Sequence, residues 1–287
     1  MKIAFFGTPD IAVIVLEELK QAGIIPNLII SNPDAKIGRK QILTPPPVAT
    51  WTKEQNITLF QPETLKDKDN LNPITSQVWD LFIVVAYGKI LPPWLIELPK
   101  HGTINVHPSL LPKLRGASPI RSAILQDQRE TGVTIMLIDE KMDHGPILAQ
   151  VRTKIEVKDW PIDGTKLDHL MAHQGGILLA ETIPKYLHGE IIPSVQNHDE
   201  ATFCTKITKE MAELKINPYQ LPKGTEAYEN LLKIRAFAGW PETFFIHEGK
   251  RIKIKVAHIN DAGQLYISLI IPEGKKEMNF DSYFKTN

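Results

Sequence analysis

The first 31 residues constrain the fold most, because they read as a strand, a helix and a second strand joined by short connections. Residues 2–7 form an apolar run typical of a buried strand, and residues 26–31 form another. Between them, Thr8 is predicted as the N-cap and Pro9 as the first turn of a helix that ends at Gly23. Strands joined in this way run parallel, so the sequence predicts a doubly wound α/β domain. Its site should lie at the carboxyl ends of the strands.

The start of this first helix argues against a nucleotide or phosphoribosyl group at that turn. A phosphate-binding helix start offers free backbone N–H groups, which glycines usually supply. Here Pro9 removes one donor and Asp10 adds a repelling negative charge.

The rest of the chain divides into a longer α/β part and a shorter part rich in alternating strands. In the α/β part, the pattern predicts strands at 58–60, 81–85, 102–107, 131–137 and 147–157, and helices at 48–55, 119–125 and 165–187. Beyond it, a helix at 231–237 and strands at 243–246, 251–258 and 264–271 are predicted. We expect one domain at 1–188, a polar linker at 189–204 and a second domain at 205–287.

Composition excludes several classes of protein. No apolar run reaches the ~18 residues of a membrane span, and a strand that starts at Lys2 leaves no room for a signal peptide. Cys204 is the only cysteine, which excludes an intramolecular disulfide and a cysteine-based zinc site. Formal net charge is zero, yet residues 205–287 carry 13 Lys and Arg against 10 Asp and Glu. That balance weakly favours the second domain as a surface for nucleic acid.

Two polar residues near the end of the 102–107 strand are candidates for chemistry. Asn105 and His107 are two residues apart, so they project from one face of the strand, and Pro108 ends it. An amide and an imidazole at a strand end could stabilise an oxyanion and transfer a proton, although either residue alone is more often a structural hydrogen-bonder. By the same parallel-sheet argument, Asp143, which follows the 131–137 strand, lies at the same sheet edge and can orient the imidazole. A structural turn at Asp143 is the alternative.

Two blocks of residues resemble a known family. The first runs Asn105-Val-His107-Pro-Ser109-Leu-Leu-Pro112 and continues through Arg115-Gly-Ala-Ser-Pro-Ile120, and the second extends from Thr131 through Asp143-His-Gly145. On these blocks the chain resembles the folate-dependent formyltransferases over residues 1 to about 249, and within them the branch that acts on methionyl-tRNA. His144 and Pro146 depart from the pattern, because Thr and Asp are more usual there.

The resemblance implies a fold, a reaction and a set of site residues. The fold would be a Rossmann-like formyltransferase domain followed by a small OB-like β-barrel that binds tRNA. Asn105, His107 and Asp143 would be catalytic while an amine attacks the formyl carbon of 10-formyl-tetrahydrofolate. The residues implied at the folate co-substrate are Ser109, Leu110, Leu111, Pro112, Tyr87, Gly88, Ile90, Leu91, Asp139 and Met142. Tyr87 could equally be ordinary core packing.

The basic loop at residues 32–47 is the expected tRNA contact. By resemblance, Lys36, Arg39 and Lys40 of this loop would enter the acceptor stem, and Lys206 would also contact tRNA. On charge alone, the loop could equally be an exposed, solvated turn.

The predicted function is formylation of initiator methionyl-tRNA in translation initiation. An alternative is formylation of a nucleotide-linked amino sugar, and a third is a non-catalytic folate-binding or nucleic-acid-binding module. The related hydrolase that releases formate carries an extra N-terminal domain, which we do not expect before Lys2. We expect a cytoplasmic monomer with no metal and no membrane partner.

Overall fold

The computed structural model describes residues 1–38 and 40–284. Its strands are, in chain order, β1 (Ile3–Gly7), β2 (Leu28–Ile30), β3 (Ala35–Ile37), β4 (Ile42–Thr44), β5 (Thr58–Phe60), β6 (Leu81–Val85), β7 (Thr103–His107), β8 (Arg115–Gly116), β9 (Glu130–Leu137), β10 (Ile147–Lys154), β11 (Phe203–Cys204), β12 (Phe244–His247), β13 (Lys250–Ile259), β14 (Leu265–Pro272) and β15 (Met278–Asn279). Its α-helices are α1 (Asp10–Gln21), α2 (Pro47–Glu54), α3 (Asn72–Thr75), α4 (Pro93–Ile96), α5 (Pro119–Leu125), α6 (Gly164–Leu187), α7 (Gly224–Ala236) and α8 (Phe280–Phe284).

The chain forms two compact units, and the first is built on a seven-stranded sheet. This unit comprises residues 1–115, 132–152 and 169–202. The order of its strands is β10-β9-β7-β6-β1-β2-β5, and β5, β2, β1, β6 and β7 all run parallel. β1 and β6 are buried along their whole length, because helices and loops cover both faces of a parallel sheet. The predicted mostly parallel, doubly wound sheet is confirmed.

The direction of β9 differs from the prediction. β9 is antiparallel to β7, with His107 opposite Thr134 and Ile104 opposite Leu137. It therefore ends near the amino end of β7, away from His107. The expectation that a parallel β9 carries Asp143 to the catalytic edge is wrong, and the loop after β9 must bring this residue back.

Two further local predictions need correction. Pro9, not Thr8, is the N-cap of α1, and the Thr8 hydroxyl instead donates a hydrogen bond to the Tyr87 carbonyl. The basic segment at 32–47, predicted as one long loop, contains the antiparallel hairpin β3–β4. The hairpin is exposed on both strands apart from the half-buried Thr44, so hydrophobic periodicity gave no sign of it.

The second unit is discontinuous in sequence. It comprises residues 116–131, 153–168 and 203–287, and its sheet has the order β12-β13-β14-β15. α7 and α8 pack against this antiparallel sheet around a core that includes Phe245, Ile254 and Ile267. A small C-terminal domain with antiparallel strands is confirmed, whereas closure into an OB-like barrel stays a prediction. The predicted boundaries at 188 and 205 also stay a prediction.

In the described part of the chain, no helix combines the length and the apolar character that crossing a bilayer requires.

Candidate active site

The site begins with two side chains at the carboxyl end of β7. Asn105 is half-buried and His107 is 4% exposed. Among the residues that the structure describes, none accepts from or donates to the Asn105 side-chain amide. An amide that the fold leaves without a partner, at a sheet edge where ligands bind, is available to a substrate.

The two nitrogens of the His107 ring have different environments. Nε2 lies 3.1 Å from the Leu114 carbonyl oxygen, and because a carbonyl only accepts, Nε2 carries a proton and donates it. Burial lowers the pKa of His107, although the Asp143 carboxylate and the bond to Leu114 each raise it in part. The ring is therefore neutral at neutral pH, and its Nδ1 holds a lone pair that can take up a proton.

Asp143 reaches this lone pair from the loop between β9 and β10. Its Oδ1 lies 3.6 Å from Nδ1 of His107, and its backbone has a φ of +50°. The loop reverses tightly, since the Leu137 amide donates to the Pro146 carbonyl. Gly145 permits this reversal, because a Cβ at position 145 would collide with the carbonyl of Leu137. The structure thus brings the three predicted catalytic residues to one place by a loop reversal.

The residues predicted from the Ser109–Pro112 motif mainly brace the segment after β7. The Ser109 hydroxyl donates to the Lys113 carbonyl at 2.6 Å, so it is not poised as a nucleophile. The Leu111 amide donates to the Thr134 hydroxyl, which itself donates to the Ser109 carbonyl. Leu111 is buried, whereas Leu110 and Pro112 are half-buried and remain accessible to a ligand.

The remaining residues predicted at the co-substrate fall into two groups. Tyr87 is 1% exposed, and its ring packs edge-on against Phe6, so its side chain belongs to the core. Leu91 is also buried there. The accessible residues are Gly88, with a φ of +82°, Ile90 at 90% exposed, Met142 at 63% exposed, and Asp139, which bonds His144 at 2.6 Å.

The predicted tRNA contacts lie in both units. Lys36 is exposed on β3, and Lys40 is exposed in the turn of the same hairpin. Arg39, the third contact predicted in the segment 32–47, lies outside the described residues. Lys206 is exposed in the second unit.

A set of residues that we did not predict surrounds the catalytic loop. Gln196 is 4% exposed and bonds the carbonyl oxygens of Asp143 and Gly145 and the guanidinium of Arg115. His198 bonds the same guanidinium and stacks on His144. Gln196 and His198 lie in the segment predicted as a linker, where no hydrophobic pattern distinguishes them. Arg115, which was named above only as part of the first motif, is buried.

No group of three His, Cys, Asp or Glu side chains in residues 1–38 and 40–284 has an arrangement that could hold a metal ion.

The family match and the sequence relatives of this chain agree with each other. Residues 1–183 match the family described as formyl transferase. The chain is 41% identical over 254 residues to the methionyl-tRNA formyltransferase of Halalkalibacterium halodurans, an alignment that covers 88% of this chain and 77% of that protein.

Solved structures share the fold at low sequence identity. A methionyl-tRNA formyltransferase from Clostridium thermocellum matches with a TM-score of 0.60 and 16% identity over 95% of this chain and 98% of that one. An N-formyltransferase from Helicobacter canadensis, in complex with folinic acid and dTDP-3-aminofucose, matches with a TM-score of 0.63 and 18% identity over 97% and 100%. At such identities the likeness establishes the fold alone.

Proposed function

We propose, from the premise that this chain belongs to the formyl transferase family, that it formylates the amino group of initiator methionyl-tRNA. The formyl donor in this proposal is 10-formyl-tetrahydrofolate, and the reaction serves translation initiation in the cytoplasm. The observation that carries the proposal is the convergence of Asn105, His107 and Asp143 in a chain 41% identical to a methionyl-tRNA formyltransferase.

The residues around the site fit a folate co-substrate. β6 and β7 are parallel neighbours, so the loop after β6 lies at the same sheet edge as His107. That loop presents Ile90, and the catalytic loop presents Met142, both with well-exposed apolar side chains. An aromatic pterin ring could cover such side chains. Their exposure is what a site for a partly apolar ligand requires. A relative in the same fold is described in complex with folinic acid.

Asn105 is suited to stabilise the charge that develops on the formyl oxygen. The formyl group supplies an electrophilic carbon, and attack by the amine leaves negative charge on the oxygen. The partner-free amide of Asn105 can donate to that oxygen without first breaking a bond within the protein. Donors held ready in this way stabilise the transition state more than the ground state.

His107 and Asp143 are suited to receive the proton that the attacking amine loses. In the neutral ring, Nε2 donates to Leu114, so only Nδ1 can accept a proton. A proton taken up at Nδ1 lies between the ring and the Asp143 carboxylate, which stabilises the imidazolium. The C–N bond to the amine forms, and N10 of the folate leaves with the electron pair of its broken bond and takes up the proton that the amine has lost. No covalent enzyme intermediate is needed.

The exposed basic hairpin supports tRNA over a nucleotide-linked sugar as the acceptor. Lys36 on β3 and Lys40 in the turn before β4 are exposed to solvent, where cations can contact a polyanionic backbone. The sugar formyltransferase alternative is supported only by fold-level neighbours at low identity. We further propose that Lys206 contacts tRNA and that the enzyme is a monomer.

A competition among acceptors tests this function. The protein is incubated with formyl-labelled 10-formyl-tetrahydrofolate and equal amounts of initiator methionyl-tRNA, elongator methionyl-tRNA and a dTDP-linked amino sugar. We expect label on the initiator tRNA, and none on initiator tRNA whose amino group has been acetylated. Label that accumulates only on the sugar would overturn the proposal.

We predict that replacing Lys36 and Lys40 together by alanine lowers the affinity for tRNA and makes the affinity less dependent on salt. The slope of log affinity against log salt is negative, and its magnitude should decrease by roughly 1 for each phosphate that the variant no longer neutralises. Filter binding or fluorescence anisotropy at several salt concentrations measures this slope. The matched control is Lys53→Ala with Lys100→Ala, because both lysines are exposed and precede β5 and β7, at the opposite sheet edge. Equal slopes for both double variants would refute the assignment.

A further inference from the structure

We propose that Gln196 is a positioning residue for His107. It would hold in place the two groups on either side of the His107 ring, which are the Leu114 carbonyl and the Asp143 carboxylate. The proposal deepens the proposed function, since it assigns Gln196 to the same formyl-transfer site. One side of the ring faces the Leu114 carbonyl, and the other faces the Asp143 carboxylate. Gln196 forms hydrogen bonds with the backbone of Asp143 and with the side chain of Arg115, the residue after Leu114.

The amide nitrogen of Gln196 fixes the catalytic loop. Nε2 donates to the Asp143 carbonyl at 3.0 Å and to the Gly145 carbonyl at 2.7 Å. A primary amide has two N–H donors, so both are used on this one loop. The bond to Asp143 restrains the backbone of the residue whose carboxylate faces His107.

The amide oxygen of Gln196 fixes the other side of the ring through an arginine. Oε1 accepts from Nε of Arg115 at 3.1 Å and from its Nη2 at 2.6 Å. Arg115 directly follows Leu114, whose carbonyl accepts from His107. Thr202 also holds the backbone of both residues. Its hydroxyl accepts a hydrogen bond from the Leu114 amide, and its carbonyl accepts one from the Arg115 amide.

These bonds close a ring of contacts around the imidazole. It runs from His107 to Leu114, along the chain to Arg115, across Gln196 to Asp143, and back to His107. Gln196 and Arg115 are both buried, so any polar atom released there is deprived of its partner without gaining water. Gln196 therefore links the two sides of the ring, because it bonds the backbone of Asp143 on one side and, on the other, the side chain of Arg115, which follows Leu114.

His198 holds Arg115 in the orientation that Gln196 requires. Nη2 of Arg115 lies 2.8 Å from Nδ1 of His198, and because arginine only donates, this nitrogen accepts and carries no proton. Partial desolvation, then His144, Arg115 and Lys141, lower the pKa of His198, whereas Asp139 raises it. The His144 ring stacks on His198 with centroids 4.0 Å apart.

Two substitutions at position 196 separate the possible roles. Gln196→Met keeps the length of the side chain but removes every hydrogen bond, so it tests whether Gln196 merely fills space. Gln196→Glu keeps an acceptor for Arg115 but turns an oxygen toward the two loop carbonyls. It tests whether the bonds to Arg115 alone are enough to position His107 and Asp143. We expect both to lower kcat by about 10- to 100-fold with KM for the folate changed less than about 3-fold.

The decisive readout is the titration of His107 followed by NMR on histidine-labelled protein. The His107 signal is assigned by its absence in His107→Asn. Because the Asp143 carboxylate raises the pKa of His107, a displaced carboxylate should lower the titration midpoint in Gln196→Met, which adds no charge of its own. A loss of general stability alone would not move it. The matched control is Gln264→Met, which removes one Nε2 bond to a backbone carbonyl in the second unit and should leave kcat and the midpoint unchanged.

The outcomes distinguish this inference from the proposed function. Wild-type protein that leaves methionyl-tRNA unformylated refutes the function, yet the His107 titration, measured without substrate, still tests Gln196. If Gln196→Met keeps kcat within about 2-fold, or leaves the titration midpoint of His107 unchanged, the positioning role is refuted. A Gln196→Glu variant with wild-type kcat would also refute it, because the bonds to the catalytic loop would then be unnecessary.

Discussion

Replacing Asp143 by asparagine should lower the single-turnover rate of formyl transfer by about 10²- to 10⁴-fold, the usual range for a group that handles a proton. Asparagine has the same shape and tolerates the φ of +50° at this position, so the loop should keep its conformation. The variant replaces the carboxylate 3.6 Å from Nδ1 of His107 by a neutral amide of the same shape. Rapid-quench measurement with saturating co-substrates reports the rate of the chemical step.

The control for this variant lies in the same loop. Glu140→Gln removes an equal charge from an exposed side chain three residues away, and should change the rate less than about 2-fold. If Asp143→Asn retained more than a tenth of the wild-type rate, proton handling by this carboxylate would be excluded.

Replacing Asn105 by alanine should lower the same rate by about 10²- to 10³-fold, as expected when one oxyanion donor is removed. The free energy of unfolding should change by less than about 0.5 kcal/mol, because the described residues give this amide no hydrogen-bond partner. Denaturant unfolding and single-turnover kinetics on the same preparation measure both quantities.

A second substitution at this position tests the chemical reason. Asn105→Asp keeps the shape but replaces the N–H donor by an acceptor with negative charge, so it should be at least as inactive as Asn105→Ala. Activity in Asn105→Asp close to wild type would show that no donor is needed here, and the oxyanion role would have to be abandoned.

The sequence predicted the order of the elements well and the direction of one strand badly. Helical spacing and apolar runs located β1, β6, β7 and α6 within about two residues, because each buries a continuous face. The same burial makes β9 readable as a strand, yet a buried apolar run looks alike in parallel and antiparallel pairing. Hydrophobic periodicity therefore cannot give the direction of β9, which the structure shows to be antiparallel to β7.

The candidate site was predictable as a set of chemical groups but not as an arrangement. The shared position of Asn105 and His107 follows from strand geometry. The position of Asp143 was predicted from a parallel β9, whereas β9 is antiparallel to β7. Gln196 was missed because a buried glutamine among proline, asparagine and aspartate residues has the composition of a loop. Its burial depends on the loop carbonyls of Asp143 and Gly145, which are distant in sequence.

The segment after α6 has a practical consequence for recombining this protein with others. Ser194 pairs with Ile147, Gln196 holds the catalytic loop, and Thr202 holds Leu114 and Arg115. An exchange of C-terminal modules at the end of the helix would transplant these three residues with the incoming module. A junction placed after Thr202 keeps the native bracing, so chimaeras joined there should retain the turnover of the parent more often than those joined at residue 188.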